Sequence, residues 1–195
     1  MVKALLGMGL LLALAVPALA APAGRIVTAE GQVRVNGKPA SEGAVVSAGD
    51  RLTVGSQSRA VVTLASGAAF RLGPQTDLRI EALGKQTRLA LKKGDILTAV
   101  RSGSDFRVRA PKVVAAVRGT TFYMQATPVH PSLICICHGK VDVSAPGRPG
   151  RLVDTDQHKV YAVKPASRWI PLEVSGHTDE EAAALKVLAE APAEE

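Results

Sequence analysis

The sequence predicts an all-β domain, a compact β-sandwich or short β-solenoid of many short strands, with one C-terminal helix. Apolar and polar residues alternate in short runs from Arg25 to Val163. Turn signals separate these runs at spacings of roughly 8–12 residues, which is typical of all-β sandwiches. The same region lacks helical periodicity over a useful length, so the βαβ units of parallel crossover folds are not expected.

The first strands are indicated by the alternation around Val33 and Val35. Asn36-Gly37 follows them, and this dipeptide is the strongest short signal for a tight hairpin. Later turn dipeptides separate apolar runs of four to six residues; they are Gly49-Asp50, Gly55-Ser56, Ser66-Gly67 and Gly73-Pro74.

The same alternation continues through TRLALKKGDILTAV, DFRVRA, LICICHGKVDV and HKVYAV. In DFRVRA, Phe106 and Val108 should face one way while Arg107 and Arg109 face the other, because successive side chains of a strand alternate between its faces. One surface of this strand is therefore predicted to be cationic.

The C-terminal helix is predicted over residues 179–190. Thr178 is a good N-cap residue, Glu181 completes a capping box, and Pro192 ends the apolar stripe that includes Leu185. Asp179 lies in the first turn, where the helix dipole favours acids.

Residues 1–20 predict a secretory signal peptide. A basic start at Lys3 precedes an apolar run, and the small-residue site Ala18-Leu19-Ala20 closes it. The alternative is an uncleaved anchor, but the apolar run is shorter than the ~20 residues that span a bilayer. We therefore expect a periplasmic protein with no membrane span after cleavage, divided into the signal peptide (1–20), a β domain (21–165) and an acidic tail with the short helix (166–195).

The charge is unevenly distributed between the body and the tail. Residues 21–172 hold 22 Lys and Arg against 10 Asp and Glu, a net charge of +12, whereas residues 173–195 have a net charge of −6. A basic body can bind acidic proteins, lipid head groups or envelope polymers. Export and an aromatic content of 3% argue against nucleic acid, because single-strand binding needs aromatic stacking platforms.

We expect part of this charge to form a basic face that binds a protein or a cell-envelope component. The alternative is that the cations are scattered over the body and serve only solubility. The five arginines predicted to line this face are Arg71, Arg79, Arg88, Arg107 and Arg109.

Two cysteines, Cys135 and Cys137, lie one residue apart and are followed by His138. In a strand the two sulfurs share a face and His138 points away, and c-type haem attachment needs two residues between the cysteines. Three interpretations stay open: buried thiols used as small apolar residues, a strained or intermolecular disulfide, and a dithiol that binds a soft metal or exchanges thiols. His177 is the only outside ligand that the sequence suggests for the third.

Asp154, Asp156 and His158 in DTDQH could also share a face and bind a divalent ion, but a solvated turn rich in turn-forming residues is the ordinary explanation for this segment. Nucleophile-elbow, P-loop and HExxH motifs are absent, so we do not expect an enzyme. No cofactor is expected apart from the soft metal, and composition does not specify an oligomeric state.

The order of these steps resembles the FecR-type domain, named for the ferric-dicitrate transport regulator. The resemblance spans roughly residues 25–145, and its steps are Gly49-Asp50, Ser58 to Leu64, Ser66-Gly67, Leu91 to Ile96, Val108 to Pro111, Arg118 to Phe122 and Gly139 to Val141. It implies a β domain outside the membrane that binds a partner or ligand. Such regulators also have a cytoplasmic segment that holds a sigma factor and a membrane-spanning helix. The predicted signal peptide stands in place of both, so the anti-sigma role is not carried over.

The sequence therefore indicates an exported, non-enzymatic binding or sensing domain. The alternative function is a periplasmic dithiol protein that binds a soft metal or exchanges thiols through Cys135 and Cys137.

Overall fold

A computed structural model describes residues 24–127, 132–145, 148–164, 168–172 and 176–191. The strands are β1 (Gly24–Glu30), β2 (Val33–Val35), β3 (Lys38–Pro39), β4 (Val45–Val46), β5 (Arg51–Val54), β6 (Arg59–Leu64), β7 (Ala68–Leu72), β8 (Asp77–Ala82), β9 (Gln86–Val100), β10 (Asp105–Arg109), β11 (Val114–Val117), β12 (Thr121–Ala126), β13 (Ser132–Ser144), β14 (Arg151–Thr155), β15 (Lys159–Lys164) and β16 (Arg168–Leu172); the helix is α1 (Asp179–Glu190). The predicted all-β class with one C-terminal helix is confirmed.

The strands form two sheets that share β9 and β13. Sheet A has the order β4-β1-β6-β7-β9-β12-β13-β15-β16. Sheet B has the order β3-β2-β5-β8-β9-β10-β11-β13-β14. Neighbouring strands are antiparallel except for β9 and β10, which are parallel.

Two glycines allow the shared strands to change sheets. β9 pairs within sheet B up to Lys93 and within sheet A from Gly94, and β13 leaves sheet A at Gly139. Gly94 and Gly139 have φ angles of +89° and +94°, which side-chain-bearing residues rarely adopt. As a result, β9, β10, β11, β13 and β12 close into a small barrel between the two sheets.

The main core lies between the facing surfaces of the sheets. Phe70 and Phe122 enter it from sheet A, and Phe106 enters it from sheet B; all three are fully buried. Burying each such side chain contributes about 1.5–3 kcal/mol to folding. The alternation of the sequence therefore places one row of each strand in this core and the other row on an outer face.

The two outer faces differ. The outer face of sheet A carries a second apolar cluster that includes Leu97 and Tyr123, and Leu185 and Ala189 of α1 cover it. The outer face of sheet B presents charged side chains instead. Sheet A also extends beyond residue 165, since β16 pairs with β15 in the segment that the sequence assigned to the tail.

The helix begins as predicted. The side chain of Thr178 accepts a hydrogen bond from the Glu181 amide, and the Glu181 side chain accepts one from the Thr178 amide. Within the described ranges, no helix has the length and apolar character needed to cross a bilayer. The predicted signal peptide lies outside the described residues.

The bend at Gly94 provides a stability prediction. Its φ is +89°, and a Cβ there would collide with the backbone of Thr76, whereas Gly103 has a φ of +88° with open space around it. We expect Gly94→Ala to lower the free energy of unfolding by at least about 3 kcal/mol and Gly103→Ala by about 1–2 kcal/mol. Urea denaturation measures both, and equal losses would show that the Thr76 contact is unimportant.

Candidate functional site

Cys135 and Cys137 both lie on the outer face of sheet A, as the alternation of β13 requires. Ile134 and Ile136 point into the main core, while the two cysteines belong to the cluster beneath α1. Only 1% of Cys135 and 7% of Cys137 is exposed, and both are free cysteines. The neighbouring His138 is exposed and does not join them.

A β-bulge positions the second thiol. Thr121 of β12 pairs with His138, but the next residue, Phe122, pairs with Ile136, so Cys137 is the extra residue on β13. A bulge bends its strand and redirects a side chain. Here it lies two residues before the bend at Gly139, and the sulfurs of Cys135 and Cys137 lie within 4.8 Å of each other.

His158 reaches the first thiol from the turn between β14 and β15. Within this turn the Thr155 hydroxyl accepts a hydrogen bond from the Gln157 amide at 3.1 Å. The His158 Nδ1 atom lies 3.3 Å from the Cys135 sulfur, and its Nε2 atom lies 2.9 Å from the Asp179 carboxylate. The imidazole is therefore held between the sheet and the first residue of α1.

His177 reaches the second thiol from the segment that leads into α1. A Cβ at Gly176 would collide with the ring of Tyr123, so glycine permits this segment to pass close over sheet A. The His177 Nε2 atom lies 3.1 Å from the Cys137 sulfur, and its Nδ1 atom lies 3.1 Å from the Thr178 carbonyl oxygen.

These side chains form what we call the cysteine–histidine cluster, which consists of Cys135, Cys137, His158 and His177. Its four ligand atoms all lie within 4.8 Å of one another. Among the described residues, it is the one group of three or more potential ligands from His, Cys, Asp and Glu that converges in this way. Two sulfurs and two imidazole nitrogens can hold one metal ion, share protons, or form thiolate–imidazole pairs.

The electrostatics of the cluster favour one thiolate. Hydrogen bonding from Cys137 lowers the pKa of the Cys135 thiol, and both histidines lower it further against the effect of burial. The pKa of Cys137 is raised, since its neighbour takes the negative charge and burial disfavours a second one. Burial lowers the pKa of His177, but the Cys135 and Thr178 hydrogen bonds raise it, and the net shift is upward.

The sequence named His177 as a ligand candidate but missed His158 as a partner of the cysteines. It placed His158 with Asp154 and Asp156, whereas in the structure the Asp154 carboxylate pairs with Lys140 at 3.1 Å on the surface. The deciding contact is the pairing of β13 with β15, in which Cys135 lies opposite Val160. No local motif indicates that pairing.

Four of the five arginines predicted to line a basic face lie on the same sheet. Arg79, Arg88, Arg107 and Arg109 are exposed on the outer face of sheet B, and Arg88 lies directly opposite Arg107. We call these four residues the arginine face. A cleft of about 360 Å³ beside them is lined by Arg51, Asp77, Arg79, Glu81, Ala90, Leu91, Lys92, Arg109, Ala110 and Pro111.

Ion pairs neutralise only part of this surface. Arg51 makes two hydrogen bonds to Asp77, at 2.8 and 2.7 Å, and Arg109 pairs with Glu81. The Arg51 hydrogen bond holds the pKa of Asp77 below its usual value, so this carboxylate is a counter-ion. Within the described ranges, Arg79 and Arg107 form no ion pair.

Arg71 does not belong to this surface, and the sequence prediction that it would is wrong. It lies on the outer face of sheet A beneath α1, with 8% of its area exposed. Its guanidinium is 3.1 Å from the Asp95 carboxylate and 3.6 Å from that of Glu181. Alternation predicts that Arg71 points away from the main core, but it does not reveal that a helix covers that face.

The architecture defines an all-β domain with one covered and one open outer face. A family model described as "FecR protein" matches residues 50–142. This region is therefore a FecR-type domain, and the resemblance seen in the sequence is confirmed.

Similar solved structures support the same fold. Two crystal structures of a "putative anti-sigma factor" from Parabacteroides distasonis ATCC 8503 each align with a TM-score of 0.53 at 18% sequence identity. Each alignment covers 63% of this chain and 58% of that chain, so less than two thirds of that protein is represented. At this identity the likeness establishes the fold alone. No curated protein matches the sequence.

The buried Arg71–Asp95 pair provides a second prediction. Burial raises the pKa of Asp95 and Arg71 opposes that rise. Arg71→Met should leave the Asp95 carboxylate buried without its partner and lower the free energy of unfolding by about 3 kcal/mol at neutral pH. In this variant the raised pKa means that Asp95 is protonated in the folded protein at a higher pH than in the unfolded chain. The loss of stability should therefore shrink as the pH falls through the folded-state pKa.

Urea denaturation at neutral and mildly acidic pH measures the effect. Arg59→Met is the matched control, because the Arg59–Glu30 pair is 45% and 54% exposed in its side chains. This control should lose less than about 1 kcal/mol. The explanation would be contradicted if the loss of stability in Arg71→Met does not change with pH. It would also be contradicted if adding Asp95→Asn to that variant does not reduce the loss.

Proposed function

We propose that this chain is an exported, non-enzymatic sensing domain that binds an acidic protein or an acidic cell-envelope component through the arginine face. The FecR-type domain supports a regulatory role, and the name of the solved relative, an anti-sigma factor, supports a protein partner. Envelope-associated relatives and the predicted signal peptide support a periplasmic location.

The observation that carries this proposal is the difference between the two outer faces. Helix α1 covers the apolar outer face of sheet A, whereas the arginine face on sheet B is exposed. Guanidinium groups form bidentate hydrogen bonds with carboxylates and phosphates. Adjacent strands hold the backbone positions of Arg88 and Arg107 side by side, so a partner does not have to order this part of the surface.

The cleft beside the arginine face suits binding better than catalysis. Its two carboxylates, Asp77 and Glu81, are each paired with an arginine. Arg51 holds the pKa of Asp77 below its usual value, whereas general acid–base catalysis needs a pKa close to the working pH. The paired acids instead fix Arg51 and Arg109 in position at the edge of the surface.

Charge reversal tests the arginine face. Arg88→Glu/Arg107→Glu should reduce capture of the partner from a solubilised envelope fraction by about tenfold or more, because like charges facing each other cost several kcal/mol. Arg25→Glu/Lys186→Glu makes the same change in net charge with residues that lie on exposed positions of β1 and α1, and it should bind like the unmodified chain.

Two further conditions sharpen this test. Binding should weaken between low and physiological ionic strength, because the Debye length falls from about 30 Å to about 8 Å. Protease treatment of the envelope fraction separates a protein partner, whose capture it abolishes, from lipid or polymer, whose capture survives. Equal capture by both charge-reversed variants would refute the arginine face as the binding surface.

Export has its own test. The protein recovered from the periplasmic fraction should begin at Ala21, since the predicted cleavage follows Ala20. Intact-mass measurement of the fractionated protein shows this directly. A cytoplasmic protein that retains residues 1–20 would contradict export without affecting the charge-reversal result.

A further inference from the structure

We propose that the cysteine–histidine cluster is a tetrahedral Zn²⁺ site that fastens the start of α1 to sheet A. This inference does not rest on the arginine face, which lies on the other sheet.

The donor set and its spacing fit zinc. Two thiolates and two imidazoles are a standard ligand set for structural Zn²⁺. Bond lengths of ~2.3 Å to sulfur and ~2.0–2.1 Å to nitrogen place tetrahedral ligand atoms about 3.3–3.8 Å apart. The two sulfur–nitrogen pairs here are 3.3 and 3.1 Å apart, and all four atoms lie within 4.8 Å. Side-chain shifts of up to about 1 Å would therefore complete the geometry.

The charge balance also fits. The thiols of Cys135 and Cys137 would each release a proton to solvent as their sulfurs bind the ion, so two thiolates would neutralise its double positive charge. A neutral site avoids the large free-energy cost of an uncompensated charge in a buried position. This matters because 1% and 7% of the two cysteines is exposed.

Each imidazole is already oriented for coordination. The Nε2 atom of His158 pairs with the Asp179 carboxylate, and its Nδ1 atom faces Cys135, where it can donate its lone pair to the ion. His177 has its Nδ1 atom on the Thr178 carbonyl, which leaves Nε2 facing Cys137. A histidine that binds metal characteristically donates the N–H of its other ring nitrogen to a carboxylate or a backbone carbonyl. Here His158 has the Asp179 carboxylate as this partner, and His177 has the Thr178 carbonyl.

Two other chemistries fit less well. Cys135, His158 and Asp179 have the connectivity of a nucleophile, a base and an orienting acid, but a nucleophile with 1% exposure cannot meet a substrate. A Cys135–Cys137 disulfide would require Cβ atoms about 3.8 Å apart, and in this structure both cysteines are free. Neither alternative uses the second histidine.

The ligands come from three separate segments, and this gives the site a mechanical role. β13 supplies the thiols and the β14–β15 turn supplies His158, while His177 lies two residues before the start of α1. Zinc would therefore join the sheet directly to the helix that covers its outer face. Among the described residues, α1 also contacts the sheet through the His158–Asp179 pair, its two buried side chains and the Arg71–Glu181 pair. A 2.8 Å hydrogen bond from Arg101 to the Ala191 carbonyl lies at its end.

The first experiment measures metal binding by the full chain. The protein is purified under reducing conditions, stripped with a chelator and titrated with Zn²⁺, and in parallel with Co²⁺ as a spectroscopic probe. We expect one ion per chain, with the visible bands of tetrahedral cobalt and a sulfur-to-metal charge-transfer band. Absence of the charge-transfer band, or binding of well under one ion per chain, would overturn the proposal.

Matched variants test the ligand set. His158→Ala and His177→Ala should each weaken Zn²⁺ binding by more than about 100-fold, the upper range for losing an outer-sphere partner. His138→Ala removes the exposed histidine next to Cys137 and should bind normally. Asp179→Ala should weaken binding by about 10–100-fold, whereas Glu180→Ala, which removes the same charge from the same helical turn, should not.

The histidine variants keep this test interpretable even if replacing a buried cysteine prevents folding. Thermal unfolding of each metal-free variant shows whether it is folded. Equal affinity in His138→Ala and His158→Ala would overturn the ligand assignment.

The mechanical role has a separate readout. Hydrogen exchange at the α1 amides should slow when Zn²⁺ is added to the unmodified chain and should not change in His177→Ala. Slowing in both proteins would overturn the role of zinc in holding the helix.

Thiol chemistry completes the test. Zn²⁺ should protect both cysteines from oxidation. A Cys135–Cys137 disulfide in protein isolated from cells without reductant would overturn the site. If the metal site is refuted, the proposal that the arginine face binds a partner still stands. If the charge-reversed variant keeps its partner binding, the metal-site proposal still stands.

Discussion

The architecture depends on two strands that each serve both sheets. β9 and β13 can do so because Gly94 and Gly139 adopt positive φ angles, at which an L side chain would clash with the backbone. The Thr76 hydroxyl stabilises the first bend by accepting a hydrogen bond from the Asp95 amide and donating one to the Asp95 carbonyl. The bend in β13 follows the bulge at Cys137, so the bulge that positions this thiol lies next to the bend that helps to close the barrel.

This arrangement produces two outer faces with different chemistry. On sheet A, apolar residues and one buried arginine require a cover, and α1 provides it with Leu185, Ala189 and a carboxylate for Arg71. On sheet B, the exposed arginines stay in water with few counter-ions. A single domain can thus hold its C-terminal helix on one side and present a binding surface on the other, and the metal site proposed here strengthens only the first of these.

The predictability of the site differs from residue to residue. Strand alternation predicts that Cys135 and Cys137 share a face, and the capping box predicts where α1 begins, since both signals lie within a few residues. His158 could not be assigned to the cysteines from the sequence, because its approach depends on β15 pairing with β13 over more than twenty positions. Arg71 was misplaced for a related reason: its burial depends on a helix that lies about a hundred residues later in the chain.

The sequence by itself determined the fold class, the FecR-type order of strands, the helix boundaries and the cationic character of the β10 strand. These features follow from local periodicity, turn chemistry and capping, which act over a few residues at a time. Only the tertiary structure decided which outer face is covered, which arginines are exposed and which histidines meet the thiols. Those outcomes depend on strand pairing and helix packing between distant segments, and local patterns carry no information about such contacts.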